Sequence, residues 1–94
     1  MYTFTEEEQI KIFKSYIKDG KVTVFPSKER KKYILLAFFI SLFKIDKVYT
    51  EKQVNEIIKK VYPDFATIRR YLVDYKMLNR TKDCKQYWIE KKEK

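Results

Sequence analysis

Between Tyr33 and Phe43 every residue except Ser41 is apolar. Such a stretch reads as a helix with no polar face, and a helix of that kind must be enclosed by the rest of its domain. It is too short to span a bilayer, which takes roughly 20 apolar residues. It therefore predicts a central helix around which every other element packs. A chain of 94 residues, 45% apolar and 17% aromatic, has material for one such core and no second one.

The remaining elements are marked by caps and breakers. Thr5 followed by Glu6, Glu7 and Glu8 is a capping-box pattern, and the three carboxylates suit the positive end of a helix dipole. Ile10, Phe13 and Ile17 recur at helical spacing, so a first helix is expected over residues 6–18, stopped by Asp19-Gly20. Residues 21–25 are β-prone and end at Pro26. Ser27 is the expected N-cap of the central helix, residues 28–43, whose first turns carry Lys28, Arg30, Lys31 and Lys32. Cations there oppose the helix dipole, so local stability does not account for them.

Residues 44–49 read as extended. Thr50-Glu51-Lys52-Gln53 is a second capping box, opening a helix over 51–62 with Val54, Ile57, Ile58 and Val61 inward. Pro63 ends it, Asp64 caps a further helix over 65–76, and the tight corner between the two is that of a helix-turn-helix. On this last helix Phe65, Ile68, Leu72 and Tyr75 mark the inner face. Residues 77–89 read as a β-hairpin with a basic tip, in which one of Tyr87 and Trp88 packs on the core. The fold class expected is thus mainly α with a small β-hairpin, a winged helix-turn-helix with an extra N-terminal helix. One domain spans residues 1–94, divided into a helical extension (1–23), a winged-helix body (24–89) and a charged tail (90–94).

Composition narrows the function. There is no His, one Cys (Cys84) and one Gly (Gly20), so the commonest general base, a multi-cysteine metal site and a phosphate-cradling Gly-rich loop are all missing. No enzyme activity, cofactor or metal is expected. The acidic N-terminus resembles no signal peptide, which leads to the expectation of a cytoplasmic protein without a membrane partner. With 22 Lys and Arg against 13 Asp and Glu, the formal charge of +9 favours a polyanion, nucleic acid first.

On the helix over 65–76, helical spacing points Arg70 directly away from the inner face, where a guanidinium suits bidentate contact with guanine. Thr67 is placed for a phosphate or base edge and Arg69 for a phosphate on the flank. The plain alternative is that Arg70 pairs with Asp74 on a solvated face. Lys28, Arg30, Lys31 and Lys32 are candidates for phosphate contacts, as are Lys82 and Lys85 at the hairpin tip. Each such cation could equally serve as a solvated surface charge. The apolar stripe of the helix over 6–18 either caps the same core or pairs two copies into a homodimer. Cys84 reads as a surface thiol, with oxidant sensing the sharper alternative.

Phe25-Pro26-Ser27-Lys28 with Arg30-Lys31-Lys32, Tyr49-Thr50-Glu51-Lys52-Gln53-Val54-Asn55, the Asp-x-x-Thr-x-Arg-Arg-x-Leu-Val-Asp pattern from Asp64 to Asp74, and Tyr87-Trp88 together resemble the bacterial domain-of-unknown-function family 2087. The resemblance runs from Val24 to Ile89. It implies a small winged-helix-like domain of the kind attached to helix-turn-helix regulators, hence a role near transcription. The stretch from Thr67 to Leu72 also resembles the recognition helix of arsenical-repressor-type winged helices, without the Cys and His ligands of such sensors. Where relatives commonly place Gly, this chain has Lys76 and Cys84-Lys85; a side chain in a left-handed cap costs roughly 1 kcal/mol. Either the helix ends differently, or the turn carries that cost. The function expected is double-stranded DNA binding as a transcriptional regulator; the alternative is a protein–protein adaptor on the same scaffold, without DNA.

Overall fold

The computed structural model describes residues 3–90. The order is α1 (Glu6–Tyr16), β1 (Ile17–Lys18), β2 (Lys21–Val22), α2 (Glu29–Ile40), α3 (Glu51–Lys59), α4 (Phe65–Asp74), β3 (Asn79–Arg80) and β4 (Tyr87–Trp88). The protein is mainly α with small antiparallel hairpins, β1–β2 and β3–β4. Of the expected tail, only Glu90 lies within the described residues.

Thr5 caps α1, its hydroxyl accepting from the Glu8 N–H at 3.1 Å. Glu8 does not reach back to complete a box, because Arg30 takes its carboxylate. The helix stops at Tyr16, two residues short of the expected end. Asp19 and Gly20 (φ 55° and 77°) do more than stop it: two left-handed residues in succession turn Ile17–Lys18 back onto Lys21–Val22. The strand expected over 21–25 is therefore confined to its first two residues, paired with residues expected to be helical. The buried stripe of α1 is also shifted. Ile12 is buried and Phe13 half-buried, its ring edge-on to Phe38 of α2, while Ile10 is half exposed. Ile17 has left the helix for β1.

α2 begins one residue later than expected. Lys28, not Ser27, occupies the cap position, and no side chain caps it. The helix ends at Ile40; Leu42 and Phe43 follow in a tighter turn, donating to the carbonyls of Phe39 and Ile40. Ile34, Leu35, Leu36 and Phe39 are completely buried, so α2 runs through the middle of the core as its composition requires. Residues from Ile12 to Tyr87 form one hydrophobic cluster around it.

Residues 44–48 are not a strand. Asp46 turns the chain (φ 70°) and only Tyr49 pairs, exchanging two backbone hydrogen bonds with Tyr87 of β4 at 2.7 and 2.8 Å. The capping box of α3 is complete: Thr50 Oγ1 accepts from the Gln53 N–H and Gln53 Oε1 from the Thr50 N–H. Val54, Ile58 and Val61 are buried and Ile57 half-buried. After Pro63, Asp64 caps α4 by accepting from the Thr67 N–H at 3.3 Å. Ile68 and Leu72 are buried; Phe65 and Tyr75 are half-buried at the margins of the same face.

α4 closes on Lys76 in the left-handed region (φ 63°). The Met77 N–H donates to the Leu72 carbonyl and the Lys76 N–H to the Val73 carbonyl. This is a Schellman motif with a lysine at the position that favours glycine. Cys84 in the second hairpin has φ 61°. Both turns thus hold a residue with a side chain in the left-handed region that favours glycine, and bear its cost. At the hairpin base Tyr87 is buried and Trp88 half-buried, as strand alternation predicts.

Candidate nucleic-acid interface

The face of α4 opposite Ile68 and Leu72 is turned to solvent, and Arg70 stands exposed on it. Among the described residues Arg70 has no hydrogen-bond or ion-pair partner. The alternative pairing with Asp74 is not formed, although Asp74 is also exposed and lies one turn away. Thr67 is half-buried one turn before Tyr71, its backbone N–H engaged by the Asp64 cap.

Arg69 points elsewhere. Its guanidinium donates to Asn55 Oδ1 and lies 3.3 Å from Glu51 Oε2, so it clasps α4 to α3. A cation with two partners inside the protein is engaged in helix packing, where the sequence leads to the expectation of a phosphate contact. The signal was present in part: Glu51 and Asn55 lie one turn apart on α3, but their distance from Arg69 depends on how the helices cross.

The four basic residues at the start of α2 separate into different tasks. Arg30 forms a bidentate pair with Glu8 at 2.7 Å for both contacts and donates to the Thr3 carbonyl, tying α2 to the start of α1. This bond lowers the pKa of Glu8 from its ordinary value. Arg30 thus acts as a clasp between the two helices, a task the sequence does not announce. Lys31 lines an open groove against α1 with Glu7, Glu8 and Lys11. Lys28 is exposed at the start of the helix.

Lys32 is different again. Its ammonium lies 4.6 Å from the centre of the Tyr71 ring, whose plane also stacks on Phe25 (5.6 Å between centroids, 17° between planes). A cation over an aromatic face is attracted by the ring quadrupole and loses freedom there. The tertiary structure so brings one α2 lysine beside the α4 flank that carries Thr67. Tyr71 and Phe25 escaped the sequence reading because nothing in helical spacing announces a stack with a residue outside the helix.

At the hairpin tip Lys82 and Lys85 are exposed. The turn between them is braced by Asp83, whose carboxylate accepts from Thr81 Oγ1 at 2.5 Å and from the Lys85 N–H at 3.0 Å. These bonds, the Thr81 hydroxyl first, hold the Asp83 pKa below its ordinary value. Arg80 on β3 is exposed and donates to the Thr81 carbonyl. Burial, then the nearby Glu51 carboxylate, pushes the Tyr87 hydroxyl above its ordinary value. Between α4 and the hairpin runs a groove of about 160 Å³ that both Arg70 and Arg80 line.

Among the described residues no group of three or more His, Cys, Asp or Glu side chains could hold a metal ion. No helix among them is long and apolar enough to cross a membrane. A family model described as an uncharacterized protein conserved in bacteria (DUF2087) matches residues 21–89. No curated protein and no solved structure matches the chain.

Proposed function

We propose, for a chain that belongs to the DUF2087 family of bacterial proteins, a function in double-stranded DNA binding: a winged-helix regulator of transcription acting in the cytoplasm. Several features support the reading. The order α2, Tyr49, α3, α4, β3, β4, with the Tyr49–Tyr87 pairing, is compatible with a winged helix. The net charge of +9 suits a polyanion. The observation that carries it is Arg70, exposed on the outer face of α4 and without a partner among the described residues, with Lys32 held against the same helix.

In this reading α4 lies in the major groove. Arg70 meets a base edge, Thr67 and Lys32 face the flanking phosphates, and Lys82 and Lys85 reach the backbone beside the groove. Lys28 and Lys31 add longer-range attraction. Pairing of two copies through residues 6–18 has less to work with than the sequence suggests, since Ile12 and Phe13 already pack within the chain.

The test is gel mobility of the purified protein on its own upstream DNA and on random duplex, each at two salt concentrations. Retention that weakens with salt and is tighter on upstream DNA is expected; no retention on either duplex at the lower salt overturns the reading. One observation favours a protein adaptor as the second reading. Ile45 and Val48 are 54% and 56% exposed in the loop before α3, next to a groove of about 310 Å³ that Lys47, Tyr49 and Ile57 help to line. An adaptor using that surface binds no DNA in the same assay.

A further inference from the structure

Arg70 and Asp74 carry opposite charges one helical turn apart on the exposed face of α4, yet no ion pair joins them. Both line the groove between α4 and the second hairpin, together with Val73, Arg80, Cys84 and Tyr87. In the same groove Glu51 and Arg69 are already engaged with each other, so the guanidinium of Arg70 and the carboxylate of Asp74 are the exposed opposite charges left on the helix. A carboxylate on a surface that approaches DNA is repelled by phosphates. An amino group that it can accept from offsets that repulsion, and in the major groove cytosine N4 offers such a donor.

Resting on the DNA-binding reading, we propose that Asp74 is a specificity-determining residue. Asp74 accepts from a cytosine N4 amino group while Arg70 donates to guanine O6 and N7. Four residues along an α-helix advance about 6 Å. Base pairs are stacked about 3.4 Å apart, so a helix lying along the groove sets the two contacts one or two pairs apart. The preferred duplex is therefore G·C-rich at its centre, with a guanine and a cytosine one or two steps from each other. Asp74 also acts against wrong sites: a thymine O4 or guanine O6 opposite it places acceptor against acceptor.

The experiment is selection of binding sites from a random duplex pool by the wild type, Asp74→Asn and Arg70→Ala. The wild type should select the guanine–cytosine spacing. Asp74→Asn should move the cytosine position to adenine, because a carboxamide pairs with adenine N6 and N7, changing the base preference there about tenfold. Arg70→Ala should relax only the guanine. Asp74→Gln serves as a second variant with the same expected shift. If the wild type binds duplex without this spacing, or if both carboxamide variants select the same cytosine, the assignment of Asp74 fails while DNA binding stands. If the wild type retains no duplex at all, both fall together.

Discussion

Arg30 of α2 grips Glu8 of α1 through two parallel contacts, each 2.7 Å. A guanidinium fork on a carboxylate fixes the angle between two helices as well as their distance. The clasp turns the α1 side carrying Ile12 and Phe13 toward α2 and leaves Ile10 outside.

The clasp makes stability depend on acid. Glu8 has a lower pKa in the folded protein than its ordinary value of 4.5. A carboxylate of that kind adds stability above the ordinary value, and the contribution is lost as pH falls through the lowered one. As pH falls from the ordinary value of 4.5 through the lowered one, the thermal midpoint of the wild type should drop more than that of Glu8→Gln. Added salt should shrink the difference, since both groups are solvent-facing. Parallel curves for the two proteins would show that the pair contributes nothing.

Lys76 occupies a left-handed cap without being glycine. Lys76→Gly should stabilise the protein by about 0.5–1 kcal/mol, the relief of the side chain exceeding the entropy that glycine gains on unfolding. Lys76→Ala keeps the Cβ and should change little. Urea midpoints of the three proteins decide it, and a glycine variant no more stable than the alanine one contradicts the account.

Phe39 is completely buried on α2, whereas Ile10 is 51% exposed on α1. Phe39→Ala should cost about 3–5 kcal/mol, enough to leave a small domain largely unfolded. Ile10→Ala should stay within about 0.5 kcal/mol. Denaturation of both variants separates the helix around which the core is built from the helix that covers it.

Arg69 and Lys32 should part company in a DNA assay. Arg69→Ala removes the bonds to Asn55 and Glu51, so it should lower stability by about 1 kcal/mol and leave the salt slope of binding unchanged. A flattened slope in that variant would return Arg69 to the interface.

For Lys32→Ala the log–log salt slope should flatten by about 0.9. Tyr71→Leu should weaken binding as well, because the ammonium loses the ring that holds it. The double variant should then lose less than the two single losses added together. Full additivity would show that Tyr71 does not position Lys32.

Much of this was written locally. Thr5, Thr50 and Asp64 each cap the helix that follows them, because a cap needs only a side-chain oxygen and an N–H three residues on. The apolar run after Tyr33 dictated a central helix, and alternation put one of Tyr87 and Trp88 inside, though only the fold decided that it is Tyr87. The outward direction of Arg70 follows from 3.6 residues per turn. Asp19-Gly20 was legible as an interruption, yet the same pair suits a helix stop and a hairpin turn.

Which cations stay available for a partner was decided elsewhere. Arg30 and Glu8 are 22 residues apart and Arg69 and Asn55 are 14 apart, distances over which no periodicity operates. Lys32 meets Tyr71 only because α2 and α4 pack together. Hydrogen bonds within a turn and the pitch of a helix are properties of neighbouring residues, so the sequence by itself determines them. The partner of a long charged side chain depends on how closely and at what angle two helices cross, and that is settled only when the whole core assembles around α2.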